Sequence, residues 1–357
     1  MAESSFSKRL LSFLIRRWSI LFLVFLVIFF GLTARNFFAV KNFSNILYFA
    51  TVYLLLAAGE TFVIISGGID LSIGFVMGFV GVSSAIIMRD LHALGYPQAA
   101  SMMIGASAGF LLGLIPGFVN GVLVARLRVP PFIATLGTYG VANGMALNLS
   151  KGFPITFLPP RVGELGNSHL AYLLPRRSFT LFRRPENIGG DELRELIGIL
   201  PATVIVTAIV LAVFAFILTR TRFGQHTYAI GGNIDAAVRA GIDVRSHQIR
   251  IYVLSSLFAS LAGVLYVFRS GIGNFTTMGA SYELFAIAAV VIGGASLFGG
   301  KGGIGGTVIG VLILMTLENG LNITGIQAFY RYIATGMILI VAVVIDQLTP
   351  EREVLSA

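Results

Sequence analysis

Few residues in this sequence have the type and spacing to do chemistry. The nearest approach to a phosphate-binding loop is GASLFGGKG, Gly294 to Gly302. Such a loop needs glycine five residues before the Gly that precedes its lysine, and Ser or Thr after that lysine. Those positions hold Ala295 and Gly302. The glycines are read instead as a tight turn between helices, with Lys301 at the cytoplasmic edge. The four histidines, His92, His169, His226 and His247, have no metal-ligand spacing. There is no cysteine, which excludes disulfides and thiolate metal sites. No paired-carboxylate motif, His-Glu-x-x-His or Gly-x-Ser-x-Gly occurs. The reading is therefore no catalytic residue, no metal site and no cofactor-binding residue in this chain. What remains is a set of polar residues stranded in apolar sequence: Glu60, Asp70, Asn120, Asn143, Asn148, Glu283, Glu318, Asn319 and Asn322. Such residues are costly in lipid, so each either lines a path or bonds between helices.

The elements that must position them are membrane helices. Hydrophobic residues make up 56% of the 357, charged residues only 11%, and mean hydropathy is +0.88. A soluble domain carries about 25% charge. Apolar runs of roughly 20 residues, broken by short polar links, specify an all-α polytopic membrane protein. The 42 glycines suit close helix approach. The net charge of +9 points to cytoplasmic loops rather than nucleic acid.

About ten spans are expected, with both termini cytoplasmic: Trp18–Ala34, Phe43–Ser66, Leu71–Met88, Ala99–Ala125, Pro130–Ser150, Ile199–Thr219, Arg250–Phe268, Leu284–Phe298, Ile304–Ile323 and Tyr332–Ile345. This divides the chain into a cytoplasmic tail at 1–17, a transmembrane domain at 18–346 and a second cytoplasmic tail at 347–357. An extracytoplasmic loop covers 151–198 and a cytoplasmic loop 220–249. Pro130 and Pro131 start the fifth span, where a missing N–H costs little. The loop 151–198 holds seven of the 25 Lys and Arg residues, against the positive-inside trend. It reads equally as a solvated loop and as a face for an extracytoplasmic partner. Asp70 follows the Gly67-Gly68 break and reads as a helix cap or a functional switch. Glu283 is expected at the outer edge of the eighth span. Glu318, Asn319 and Asn322 form a stripe that suits either a path or interhelical bonding.

The stretch Arg220 to Gly241, RTRFGQHTYAIGGNIDAAVRAG, is polar and basic between two apolar segments. Asn233 or Asp235 can cap a short helix that Gly241 stops. That suits a docking element, or an ordinary solvated loop.

This segment, with GETFVIISGGIDLSIG (Gly59–Gly74), LRVPPFIATLGT (Leu127–Thr138) and ELFAIAAVVIGGASLFGGKGGIGGTVIG (Glu283–Gly310), resembles the permease subunits of ABC sugar importers of the ribose, xylose and galactofuranose type. The resemblance covers about residues 45 to 346 and implies a type II importer-like bundle in the bacterial inner membrane. It implies a partner ATPase subunit that uses ATP and magnesium, a periplasmic sugar-binding protein and a second permease subunit, identical or related. It also implies that Gly231, Gly232, Asn233, Asp235, Ala236, Ala237, Arg239, Ala240 and Gly241 couple to the ATPase, with Ala236 and Ala237 packing into its cleft and Arg239 pairing with an acid. A neutral, hydroxyl-rich substrate would meet Glu60, Asp70, Tyr139, Asn143, Asn148, Tyr266, Asn274, Tyr282, Glu318, Asn319 and Asn322. Two departures stand out: Glu60 where the resembling sequences usually have an uncharged residue, and Phe285 where they typically show Asp. The resemblance leaves a branched-chain amino-acid permease as the near rival. A stand-alone facilitator or carrier is the runner-up from another class, and an intramembrane enzyme is more distant.

Overall fold

The structure is a computed structural model that describes residues 2–175, 177–185, 188–274 and 281–327, with isolated positions beyond. The helices are α1 (Ala2–Thr33), α2 (Val40–Ile65), α3 (Ile73–Ala93), α4 (Gln98–Ala125), α5 (Pro131–Ser150), α6 (Arg161–Gly166), α7 (Gly190–Glu195), α8 (Ala202–Arg220), α9 (Arg222–Gly232), α10 (Ile234–Arg239), α11 (Val244–Ser270), α12 (Tyr282–Ile292) and α13 (Ile304–Ile323). The strands are β1 (His169–Leu174), β2 (Ser178–Leu181) and β3 (Ile197–Pro201).

Among the described residues six helices, α2, α3, α4, α8, α11 and α13, are long and apolar enough to cross a membrane. The expected count of about ten is larger, for identifiable reasons. The apolar part of α1, Arg17–Thr33, is shorter. Helix α5 has 20 residues, but Thr135, Thr138, Asn143 and Asn148 dilute its hydropathy and it is not among the six. Helix α12 has only 11 residues, about 16 Å of rise against a hydrocarbon core of about 30 Å. The tenth expected span, 332–345, and the tail 347–357 fall outside the described residues apart from isolated positions.

Helices α2 and α3 form the centre. From Ala50 to Ile65 every residue but Tyr53 is buried, and so is every residue from Ser72 to Ala85. A helix that is apolar all round belongs inside. By contrast α8 turns Val206, Ile209, Val213 and Phe216 outward, the surface that lipid demands. Helix α4 meets α3 and α11 through Gly105, Gly109, Gly113, Gly117 and Gly121, one every four residues. A methyl group at Gly117 would lie 2.5 Å from Ser256 Oγ and collide with the Tyr252 carbonyl. Small residues here let the backbones approach.

The loop 151–198 is more ordered than expected. It contains a three-stranded antiparallel sheet in the order β2-β1-β3, with Tyr172 opposite Thr180 and Gly198. The sixth span consequently starts at Ala202, after a strand, because Pro201 ends β3 and serves as the N-cap of α8.

One further expectation is corrected. Helix α12 begins within the bundle, not at its outer edge. Glu283 packs against Gly74, in the first turn of α3, where a methyl group would collide with its carboxylate. The chain reaches that depth after Gly273 has bridged to Ile155 and packed on Ala85 of α3. Asp70 Oδ1 accepts the amide of Ser72, two residues on, which is the bond of a capping residue, although α3 is counted from Ile73; its other oxygen reaches further.

Candidate functional site

Three places gather the residues singled out from the sequence. The first is the α9–α10 elbow. Asn233 caps α10, its Oδ1 accepting from the Ala236 amide at 2.8 Å. Gly241, with φ +79°, ends the segment. Both features match the sequence pattern. The side-chain directions are less legible. Ala237 is buried against Ile230 and Val244, so it faces the chain's own interior rather than a partner. Ala236, Asp235, Arg239 and Ala240 face solvent, joined by Ile234 and Val238, 46% and 57% exposed. These two apolar residues were not anticipated.

Helix α9 is clamped to the bundle. Tyr228 Oη donates to the Gly302 carbonyl at 2.7 Å. The Gly300 amide donates to the Ile65 carbonyl at 2.8 Å, and Gly231 lies directly on that pair. Burial raises the Tyr228 hydroxyl pKa above its ordinary value. The link 293–303 is the expected tight turn, with Gly294, Gly299, Gly300 and Gly302 all at positive φ. On the other side a groove of about 760 Å³ separates α10 from the α4–α5 link. Arg128, Val129, Pro130, Ile234, Val238 and Arg245 are among its lining residues.

The second place is a buried polar cluster joining four helices and the α2–α3 link. Asp70 Oδ1 accepts from the Ser72 amide at 2.9 Å and from the Ser72 hydroxyl; Oδ2 accepts from Ser255 Oγ at 2.8 Å. Asn120 Nδ2 donates to Ser72 Oγ at 3.0 Å, and Thr138 donates to Asn120 Oδ1. The Leu71 amide donates to Thr135 Oγ1 at 3.2 Å. Glu60 Oε1 accepts the Asp70 amide at 3.1 Å, while its buried Oε2 has no partner. Glu60 and Asp70 are therefore neighbours, fully buried. The cluster is a cross-link of α2, α4, α5 and α11 around the GGIDLS break.

The third place is a cavity of about 290 Å³ among α2, α11, α12 and α13, lined by Ile46, Phe49, Tyr53, Arg269, Tyr282, Met315, Glu318, Asn319 and Asn322. It brings together Tyr282, Glu318, Asn319 and Asn322 of the expected set and adds Tyr53 and Arg269. Tyr53 and Tyr282 stack with centroids 4.8 Å apart and planes at 24°. The Arg269 guanidinium lies 4.9 Å from the ring centroids of Tyr48 and Phe49, and Nη1 donates to the Tyr48 carbonyl at 3.3 Å. Tyr48 Oη in turn donates to Asn167 Oδ1 at 2.5 Å. Tyr266, 5.7 Å from the same guanidinium, supports the wall. An arginine within a run of aromatics near the end of a span, YVFRS, was the available signal.

The other candidates lie elsewhere. Tyr139, packed on the Phe75 ring, Asn143 and Asn148 are on α5, which packs on α3 and α4 rather than on the cavity helices. Asn148 is exposed; Asn143 and Asn274 are half-buried.

A family model described as branched-chain amino acid transport system / permease component matches residues 42–343. The ribose import permease protein of Bacillus subtilis (strain 168) is 37% identical over 325 residues, covering 91% of this chain and 90% of the relative. The ribose import permease protein of Escherichia coli (strain K12) is 35% identical over 336 residues, 94% of each. The xylose transport system permease protein of Haemophilus influenzae is 34% identical over 340 residues, covering 86% of this chain and 88% of the relative. No solved structure matches.

Proposed function

The chain belongs to this family of transport permeases, and from that premise we propose that it is the membrane-spanning subunit of an ATP-driven importer of a monosaccharide. The relatives named for ribose and xylose support the sugar branch. What carries it over the amino-acid branch suggested by the family description is that the identity to ribose permeases runs over 91% and 94% of the chain. The cavity among α2, α11, α12 and α13 fits a hydroxyl-rich ligand, with an arginine, a glutamate, two asparagines and two tyrosines beside Ile46, Phe49 and Met315.

The chain is a transport subunit and carries no ATPase loop of its own. A separate ATPase subunit, using ATP and magnesium, docks on α10 through Ile234, Val238 and Arg239. A periplasmic binding protein delivers the sugar, and a second permease copy or related chain completes the path. The assembly sits in the bacterial inner membrane, with about ten spans and both termini inside. Hydrolysis by the partner moves α9 and α10, and α9 carries the movement to the ends of α2 and α12.

The test is uptake of labelled ribose, xylose, allose and leucine into vesicles holding the full assembly, with and without ATP. ATP-dependent entry of a sugar, and not of leucine, is expected. Entry without ATP would favour a facilitator, and leucine uptake the amino-acid branch. Docking is tested by Val238→Asp, which places a charge on the exposed apolar face and should release the ATPase while the permease still inserts. Ala237→Asp is the wrong probe, because it buries a carboxylate inside the elbow and unfolds α10 whatever its partner.

A further inference from the structure

We propose that a cleft between α8 and α11 is a lipid site. It takes the upper part of one acyl chain of a phospholipid from the extracytoplasmic leaflet and binds the ester carbonyl of that chain through Thr203 and Thr207. Helix α8 packs mainly on α2 and α9, and α11 lies across an open seam from it. Phe214 of α8 stands edge-on to Phe258 of α11, ring centroids 4.7 Å apart, and divides the seam. The upper cleft, of about 280 Å³, is faced by Thr203, Val206 and Thr207 of α8 and by Leu261, Leu265 and Phe268 of α11. The lower cleft, of about 330 Å³, has no hydroxyl among its lining residues.

The upper cleft opens toward lipid and is roofed toward water. Val206, 57% exposed, belongs to the outward face of α8. Leu165 and Gly166 of α6 close the top, and Gly166 seats directly on the Phe268 carbonyl, which a methyl group would strike.

Two donors are stranded in these surroundings. Thr203 and Thr207 are buried, and neither hydroxyl oxygen has a hydrogen-bond partner among the described residues. Residue type does not account for this. Thr61, Thr219 and Thr227 return their hydroxyls to the carbonyl four residues back, at 2.6, 2.7 and 2.9 Å. Four residues before Thr203 the chain is strand β3; four before Thr207 it is helical, and that bond is not made. A hydroxyl left unpaired in apolar surroundings is costly, and hydrocarbon cannot relieve it. An ester carbonyl has two lone pairs and no donor of its own, which matches two hydroxyls. Depth agrees. The 19 residues of α8 rise about 28 Å against a hydrocarbon core of about 30 Å, so its first turns lie at the core edge, where lipid esters sit. A helix of another subunit, about 10–12 Å across, does not fit a cleft of this size, whereas a single acyl chain does.

The experiment uses the chain purified from its native membranes with whatever subunits accompany it. Retained lipid is counted by native mass spectrometry after delipidation and readdition of diacyl phosphatidylethanolamine or its dialkyl ether analogue, which lacks the ester carbonyls. The native chain should hold the ester lipid roughly 5- to 30-fold more tightly than the ether, the equivalent of one or two hydrogen bonds. Thr203→Val combined with Thr207→Val, which preserves the shape of both side chains, should abolish that preference. Val206→Trp, which fills the cleft from its exposed side, should lower the count by one lipid per copy of this chain. Val213→Trp, on the outward face of the same helix but outside the cleft, should leave count and preference unchanged. Retained co-purification of the accompanying subunits shows that each variant has folded. Equal retention of ester and ether lipid by the native chain overturns the site without recourse to any variant. An unchanged lipid count in Val206→Trp overturns it too, and so does release of a subunit by that variant, which would make the cleft a protein contact.

Discussion

Gly231 and Gly232 are adjacent on α9, and the structure assigns them opposite tolerances. A methyl group at Gly231 would lie 2.6 Å from the Gly300 amide nitrogen and 2.9 Å from the Ile65 carbonyl carbon, and would collide with the Ile65 oxygen; at Gly232 it would meet nothing within 4 Å. The obstructing atoms are all backbone and cannot rotate away. To restore ordinary contact α9 must retreat by roughly 1.5–2 Å. The retreat strains the Tyr228 to Gly302 hydrogen bond, which holds α9 to the link 293–303. Overpacking costs about 1–3 kcal/mol, and weakening one such bond about 0.5–1.5 kcal/mol. Replacing a helical glycine by alanine returns about 1 kcal/mol. The net for Gly231→Ala is therefore about 0.5–3.5 kcal/mol against the clamped position of α9, a shift of roughly 2- to 400-fold in its population. For Gly232→Ala only the propensity gain remains. The assay is ATP-driven uptake per inserted transporter, with ATPase co-purification as control. Gly231→Ala should transport poorly while retaining insertion, and Gly232→Ala should match the native chain. Equal transport by all three would refute the clamp. Equal loss in both variants would show that α9 needs flexibility rather than close approach.

Ser255→Ala should lower the thermal stability of the purified protein in detergent, because Asp70 Oδ2 loses its hydroxyl donor; an unmade buried bond costs about 1–3 kcal/mol, and an unchanged melting temperature would contradict the cross-link. Gly74→Ala should impair folding through collision with the Glu283 carboxylate, and Glu283→Ala in the same chain should recover part of the yield. His169 in β1 titrates below its ordinary value of 6.5, chiefly because burial disfavours the charged ring, with a backbone hydrogen bond at Asn167 opposing. The unfolded strand then binds the proton first, so this contribution is present above about pH 6.5 and is lost as pH falls below that through the lower folded-state value. Amide exchange in β1, measured from pH 8 to 5, should accelerate on the acid side, and His169→Gln should flatten the change.

The sequence announces what local rules control. Asn233 sits where a cap belongs, Gly241 where a short helix must stop, and Pro130-Pro131 where α5 begins; the structure has all three. The class of protein follows from composition alone. What required the third dimension was direction and depth. In a six-residue helix one position must face inward, and nothing in IDAAVR says that it is Ala237 rather than Ala236. Length deceived at α12, where apolar sequence continues to Phe298 but Gly293 and Gly294 stop the helix. The sheet was partly legible: SFTL alternates polar and apolar, the period of a strand, yet its Arg-rich surroundings read as a solvated loop. Arg269 and Tyr53 escaped because their meeting with Asn319 depends on how four distant segments pack. The Asp70 cluster was half visible. Its break was read correctly, but Ser255 lies 185 residues away in sequence.

Helix α12 has a bearing on leakage. An importer must stay tight to ions and protons between cycles. Here α12 begins only at Tyr282, after Ser281 in a left-handed conformation, and among the described residues no side chain caps it. Amides of its first turn have no intrahelical acceptor and hydrocarbon offers none, so the protein must supply acceptors there; the Glu283 carboxylate accepts from its own amide. The helical part of this wall is only the length of α12, about 16 Å, roughly half the thickness of the hydrocarbon core. Resistance to leakage in each copy falls to the Tyr53–Tyr282 stack and the tightly packed layer beneath it.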